Sequence, residues 1–133
     1  MTLVLHGHPF SSYVQKVLIS LYENATPFTW RVLDGAAAFE ELAGLWPIRL
    51  MPVLVDDATP IAESSIIIEH LALNHPGPVR LIPADPQRAL KVRFLDRFFD
   101  SYVMTPMQKI VGDRLRQEGE RDAKGVADAC VRL

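Results

Sequence analysis

The sequence predicts an α/β domain followed by the beginning of an all-helical domain. Short apolar runs alternate with amphipathic helical stripes through residues 1–78, a pattern typical of a sheet covered by helices. Prolines then cluster around residues 79–86, and beyond them the chain has the periodicity of long helices. We therefore predict a first domain at 1–78, a linker at 79–86 and part of a helical domain at 87–133.

Composition excludes several classes of function. The 133 residues carry a net charge of −2 with both signs interspersed, so no basic surface for nucleic acid or anionic membranes is expected. No apolar run approaches the roughly 20 residues that span a bilayer, and the first residues lack a signal-peptide pattern. Cys130 is the one cysteine, which excludes an internal disulfide. We expect a cytoplasmic protein.

The first 32 residues predict a strand, a helix and a second strand. Residues 2–6 are an apolar run ended by glycine and proline, and residues 28–32 alternate as a strand does. Between them, Ser12 and Gln15 have the spacing of a capping box at a helix start. The apolar stripe of this helix consists of Val14, Val17, Leu18, Leu21 and Tyr22.

The next segment completes a βαβαββα order. Residues 36–45 predict a modest helix, and 53–56 and 60–62 predict two strands joined by a tight turn. Residues 66–73 are apolar on nearly all sides, which indicates a helix packed between a sheet and another element. The pattern predicts a four-stranded mixed sheet with helices on both faces.

The remainder of the chain predicts helices only. Residues 87–115 read as one long helix rich in aromatic residues, which Pro106 should kink. A last helix should begin near Arg121, and it ends at Leu133 with little to pack on. We expect further residues of a helical domain beyond this point.

Pro52 enters an apolar, β-branched run and has no N–H to give to a sheet, so it should mark the start of a strand. A cis peptide bond between Met51 and Pro52 would expose the Met51 backbone N–H and C=O beside the strand. Such a backbone pair can bind a peptide in the way that an added strand does. An ordinary trans proline at the start of a strand is the alternative.

Three motifs occur in order along the chain: Ser11-Ser12-Tyr13-Val14-Gln15-Lys16-Val17, Met51-Pro52 before Val53-Leu54, and Glu63-Ser64-Ser65 at a helix start. Together they resemble the thioredoxin-like N-terminal domain of cytosolic glutathione S-transferases. The resemblance covers residues 1 to about 78, and residues 87–133 would be the first part of the family's helical domain.

The resemblance implies that glutathione is the co-substrate and that Ser11 is the catalytic hydroxyl. Only a thiolate is a good nucleophile. A hydrogen bond to a charged group contributes roughly 1.5–3 kcal/mol, and about 1.36 kcal/mol corresponds to one pKa unit, so Ser11 would lower the thiol pKa by about one to two. For Ser11 the alternative is a helix cap, whereas for Ser12 the cap is the favoured role.

The resemblance also implies the glutathione-binding residues. The Met51 backbone beside Pro52 would align the peptide, while Glu63 and Ser64 would hold its γ-glutamyl end at a helix N-terminus.

One departure from the family concerns the other end of the peptide. Leu50 stands where a basic or polar residue often binds the glycyl carboxylate. Arg49, one position away, is the remaining candidate for this contact.

The implied reaction is attack of the glutathione thiolate on a small apolar electrophile, in a protein that forms a homodimer. A glutathione-dependent isomerase or dehalogenase, or a non-catalytic glutathione-binding regulator, would use the same scaffold. A disulfide reductase is disfavoured because Ser11 and Val14 stand where that chemistry needs cysteines. No His, Cys, Asp and Glu residues have the sequence spacing of a metal site, so no metal is expected.

Overall fold

The structure is a computed structural model that describes residues 2–133. The chain forms two compact units, one ending at Pro83 and one from Ala84 to Leu133. None of the helices in the described part of the chain is long and apolar enough to cross a bilayer.

The first unit has the predicted βαβαββα order. Its elements are β1 (Leu3–Gly7), α1 (Ser12–Glu23), β2 (Thr29–Val32), α2 (Ala36–Leu45), β3 (Val53–Asp56), β4 (Thr59–Ala62) and α3 (Ser64–Asn74). The sheet order is β2-β1-β3-β4, in which β1 pairs with β2 in parallel and β3 is antiparallel to both of its neighbours. The predicted four-stranded mixed sheet is confirmed.

The core of this unit lies on both faces of the sheet. Successive side chains of a strand point to opposite faces, and in β3 Leu54 packs with residues of α1 and α3, whereas Val53 packs with residues of α2. The first cluster contains Leu3, Leu5, Val14, Val17, Leu18, Leu21, Leu54, Ile67 and Leu71. The second contains Leu33, Ala38, Leu42 and Val53. Apolar burial on both faces therefore fixes the register of β3.

The start of α1 differs from the prediction by one residue. Ser11 is the N-cap, in extended conformation, and its Oγ accepts a hydrogen bond from the Val14 N–H at 3.4 Å. The side-chain nitrogen of Gln15 donates to the Pro9 carbonyl at 2.6 Å, so it does not complete a capping box with Ser12. The sequence holds two adjacent serines, and periodicity alone does not distinguish which one caps the helix.

Gly7, the last residue of β1, lets the strand approach α1 closely. A Cβ at this position would lie 2.6 and 2.8 Å from the two γ-carbons of Val14, which is fully buried. Valine is stiff about χ1 and cannot turn both methyl groups away. The absence of a side chain at Gly7 therefore sets the separation of β1 and α1.

The second unit is helical. Its elements are α4 (Pro86–Phe98), a π-helical segment (Phe99–Met104), α5 (Thr105–Arg114), a 3₁₀ turn (Glu118–Glu120) and α6 (Ala123–Arg132). Helical backbone runs without a break from Pro86 to Arg114, as predicted, and the disturbance expected at Pro106 is a π-helical segment just before it. Proline lacks an N–H, and its ring presses on the carbonyl four residues earlier. The helix accommodates this by widening, and the Thr105 N–H bonds to the Asp100 carbonyl five residues back.

Replacing Gly7 with alanine should destabilise the first unit by about 1–3 kcal/mol, because the new methyl group overpacks the contact with Val14. Urea unfolding followed by circular dichroism measures this change. The double variant Gly7→Ala/Val14→Ala should recover part of the loss relative to the sum of the two single variants, since removing the methyl groups makes room. Additive single changes would show that the close approach does not matter.

Candidate functional site

The sheet brings the three sequence motifs to one of its ends. His6 near the end of β1 pairs with Val53 at the start of β3, and Val53 pairs with Ala62 at the end of β4. The loop from β1 to Ser11, the entry to β3 and the start of α3 therefore leave the sheet at the same end. This register is the reason that residues about 50 positions apart in sequence form one candidate site.

The loop before α1 is held by its own hydrogen bonds. The Ser11 N–H donates to the His8 carbonyl at 3.0 Å, and the Phe10 N–H donates to His8 Nδ1 at 3.3 Å. Ser11 is half-buried and its hydroxyl oxygen receives the Val14 N–H. A hydroxyl that accepts one hydrogen bond still has its O–H to donate, so the cap leaves Ser11 able to bind an anion.

The peptide bond between Met51 and Pro52 is cis, which is one of the two possibilities that the sequence left open. The Met51 side chain is partly buried and packs against both core clusters. The entry to β3 is therefore held on both faces of the sheet.

The first turn of α3 has no side-chain cap. Glu63 is the N-cap residue with φ of 69°, its side chain makes no capping hydrogen bond, and the first helical bond runs from the Ile67 N–H to the Glu63 carbonyl. A non-glycine residue in this left-handed region is uncommon and often marks a functional site. Ser64, the first helical residue, is buried.

A lysine near this helix start was not found by sequence reasoning. Lys16 of α1 donates a hydrogen bond from Nζ to Ser65 Oγ at 3.2 Å. The two residues are 49 positions apart, and only the packing of α1 against α3 brings them together. The lysine adds positive charge where the N-terminus of α3 already favours an anion.

The Arg49 side chain already has an acidic partner on α2. Its guanidinium lies 3.6 Å from the Glu40 carboxylate of α2, and both side chains are largely exposed. Arg49 also has a positive φ of 60°, and the neighbouring Leu50 side chain is 60% exposed. The segment before the cis bond thus presents an apolar side chain to solvent beside a paired cation.

His6 is the buried ionisable group closest in the sheet to the entry of β3. It is 4% exposed, and its Nδ1 lies 3.7 Å from the Glu41 carboxylate without a hydrogen bond. Burial lowers the pKa of His6, with a smaller opposing effect from Glu41 and a smaller lowering from Arg31. Arg31 binds Glu41 at 2.7 Å and holds the pKa of that carboxyl below its usual range. We therefore assign neutral His6 a packing role.

Comparison with known proteins identifies the family. The profile of the glutathione S-transferase N-terminal domain matches residues 5–79, more than half of the chain. The chain belongs to the glutathione S-transferase family. The resemblance based on the three motifs is confirmed, and with it the thioredoxin-like fold of the first unit.

Individual proteins that are similar to this chain support its membership in the glutathione S-transferase family. A curated relative, glutathione S-transferase U10 of Arabidopsis thaliana, is 33% identical over 98% of this chain and 55% of its own length. Maleylacetoacetate isomerase of Rattus norvegicus is 34% identical over 68% of this chain and 41% of its own length.

A solved glutathione S-transferase from Methylobacterium radiotolerans, in complex with glutathione sulfonate, superposes with a TM-score of 0.79 at 28% identity. The superposition covers 99% of this chain and 62% of that one. The chain thus spans about half the length of the curated relatives it matches.

Acid should destabilise the first unit partly through His6. As the pH falls below the usual histidine pKa of about 6.5, the unfolded chain takes up a proton that folded His6 resists, so the unfolding free energy decreases. Above about pH 7 both states are neutral at this group, and the effect vanishes. Urea unfolding at pH 7.5 and pH 5.5 measures how far the unfolding free energy falls between these two pH values. This fall should be smaller in His6→Leu than in the parent. The control variant His8→Gln keeps His6 and should therefore retain its contribution to the fall. Equal decreases in the parent and His6→Leu would contradict the assignment.

Proposed function

We propose that this protein binds glutathione at the end of the sheet where β3 begins, and that Ser11 activates the glutathione thiol for attack on a small apolar electrophile. The observation that carries the proposal is the Ser11 hydroxyl at the start of α1, with its oxygen capping the helix and its O–H left to donate. Membership in the glutathione S-transferase family supports it.

The chemistry is the stabilisation of a thiolate. A free cysteine-type thiol has a pKa of about 8.5, so only a small fraction is ionised at neutral pH. A hydrogen bond from Ser11 to the sulfur, together with the positive end of α1, favours the charged form. The thiolate then attacks the electrophilic carbon and forms a thioether bond. In a substitution the leaving group departs with its bonding electrons, and in an addition the neighbouring carbon takes up a proton.

The γ-glutamyl end of glutathione would bind at the start of α3. Glu63 can accept hydrogen bonds from the α-ammonium, while the Ser64 hydroxyl and the first N–H groups of the helix can donate to the α-carboxylate. Lys16, which reaches Ser65, adds attraction for the same carboxylate. The backbone of Met51 beside Pro52 would pair with the peptide backbone of glutathione.

The glycyl carboxylate of glutathione would have fewer charged contacts than the γ-glutamyl end. Leu50 offers no charge, and the guanidinium of Arg49 is shared with Glu40. We propose Arg49 as the one basic residue of this segment available to the glycyl end.

A glutathione-dependent isomerase is the second candidate function. The identity to a maleylacetoacetate isomerase favours it specifically. Isomerisation uses the same thiolate, which adds to the substrate and is later expelled, so Ser11 would have the same role. Turnover of a maleyl-type substrate without turnover of an activated aryl halide would select this function.

We extend the proposal to a homodimer of two-domain subunits, with a glutathione-binding domain at 1–78, a linker at 79–86 and the start of the helical domain at 87–133. Four exposed aromatic side chains support a partner surface on the second unit, where Phe98 contacts the rings of all the others. They are Phe94, Phe98, Phe99 and Tyr102.

Replacing Ser11 with alanine should raise the pKa of the bound glutathione thiol by about one to two, because the hydrogen bond to the sulfur is lost. The ultraviolet absorbance of the thiolate, followed during a pH titration of the glutathione complex, measures this directly and needs no electrophile. Any transferase activity at pH 7 should fall about tenfold or more and recover at higher pH.

Ser12→Ala is the matched control, since it removes a hydroxyl one residue away from the proposed donor. Ser11→Thr keeps both the hydroxyl and the cap and should retain most of the effect. The same thiol pKa in the parent and Ser11→Ala, with both still binding glutathione, would reject the role of Ser11 without rejecting the binding site.

Replacing Leu50 with lysine should tighten glutathione binding, because it supplies a cation for the glycyl carboxylate. An exposed ion pair contributes up to about 1 kcal/mol, which corresponds to roughly a fivefold lower Kd. Isothermal titration calorimetry at low and high salt checks the gain and its electrostatic origin. Leu115→Lys adds the same charge at a position 84% exposed in the second unit and should leave the Kd unchanged.

A further inference from the structure

Three ligand-type side chains meet at the other end of β3. Asp56 Oδ2 lies 2.8 Å from His70 Nε2 and 2.7 Å from His75 Nε2. All three ligand atoms lie within 4.8 Å of one another. The side chains are 14%, 24% and 11% exposed respectively, so the cluster is largely enclosed but still open to an ion from solvent.

The backbone holds each of these residues at a defined place. Asp56 is the last residue of β3 and pairs with Thr59 across the turn to β4. His70 lies on α3, and His75 ends that helix, where its N–H donates to the Leu71 carbonyl. Leu71 belongs to the core, so the helix that carries both imidazoles is anchored against the sheet.

We propose that Asp56, His70 and His75 form a binding site for a divalent transition-metal ion, with Zn²⁺ as the best-matched ion. Two imidazole nitrogens and one carboxylate oxygen are a donor set that suits zinc, whereas Ca²⁺ and Mg²⁺ need more oxygen ligands. Three protein ligands leave a fourth position for water. This proposal departs from the sequence-based expectation of no metal.

The two contacts of Asp56 are shorter than a zinc site needs, while the two imidazole nitrogens lie within 4.8 Å of each other. Zinc binds nitrogen and oxygen at about 2.0–2.1 Å, so ligand atoms of a tetrahedral site lie about 3.3–3.4 Å apart. The two contacts of Asp56 would therefore lengthen by about 0.6 Å on zinc binding. Hydrogen bonds from His75 and His70 hold the pKa of Asp56 below its usual range, and a metal ion would replace both of these hydrogen bonds.

The second ring nitrogen of His70, Nδ1, has a different hydrogen-bonding role in a metal site than in a plain hydrogen-bonded cluster. Asn74 Nδ2 lies 3.1 Å from His70 Nδ1 and 3.0 Å from the His70 carbonyl. Without metal, Nδ1 accepts from Asn74 and Nε2–H donates to Asp56. With metal on Nε2, the ring proton moves to Nδ1 and needs an acceptor at position 74.

The site is separate from the proposed glutathione site. Helix α3 begins at Ser64 and ends at Asn74, and its 11 residues span about 16 Å at 1.5 Å per residue. The two histidine ligands lie in its second half and just beyond it, and Asp56 lies at the end of β3 opposite to Pro52. A bound ion would link the end of β3 to the end of α3, so zinc should raise the unfolding midpoint of the protein.

Zinc binding should be measured by calorimetry on the whole chain in the absence of glutathione. The background carries Cys130→Ser, because Cys130 is an exposed thiol that would bind zinc by itself. We expect one Zn²⁺ per chain and a rise of the unfolding midpoint with zinc concentration. Cobalt should give the visible d–d absorption of a site with nitrogen and oxygen ligands.

Asp56→Asn, His70→Gln and His75→Gln should each weaken zinc binding at least tenfold, while His8→Gln should bind as the parent does. Asn74→Asp should tighten binding about tenfold, since a carboxylate accepting from Nδ1–H strengthens a zinc-bound histidine. This variant keeps all three ligands, so it tests the site even where a ligand variant folds poorly. The proposal would be overturned if the parent showed no saturable zinc binding. It would also be overturned if neither the three ligand variants nor Asn74→Asp changed the binding.

Discussion

Strand β3 is packed from both sides of the sheet. Val53 lies in the apolar cluster with α2, and Leu54, the next residue, lies in the cluster with α1 and α3. A shift of one residue would exchange both side chains between faces, so burial specifies the register strongly. The register places Pro52 at one end of the strand and Asp56 at the other. Both the proposed glutathione site and the proposed zinc site depend on this short strand.

Ser11 combines a structural and a chemical role without conflict. Its oxygen satisfies one of the N–H groups at the start of α1, and its proton remains available to a ligand. The close contact between Gly7 and Val14 sets how near α1 lies to β1, and hence where this hydroxyl stands. A packing contact in the core therefore contributes to the geometry of the proposed catalytic group.

Much of the fold could be predicted from local patterns, because apolar periodicity and breaker residues report directly on strands and helices. Local patterns did not distinguish Ser11 from Ser12 as the cap, nor did they show that the helix before Pro106 widens into a π-helical segment. Contacts between distant residues were missed for a physical reason. Lys16 meets Ser65, and Asp56 meets its two histidines, only after the sheet and α3 have assembled.

The two ends of helix α3 favour ligands of opposite charge. Its uncapped first turn follows Glu63, whereas its last turn is followed by His75. The aligned peptide dipoles make the first end favourable for anions and the last end favourable for cations. A carboxylate bound at one end and a metal ion bound at the other would each be stabilised by the same row of backbone groups. Each end of the helix dipole would then face a bound charge of the opposite sign.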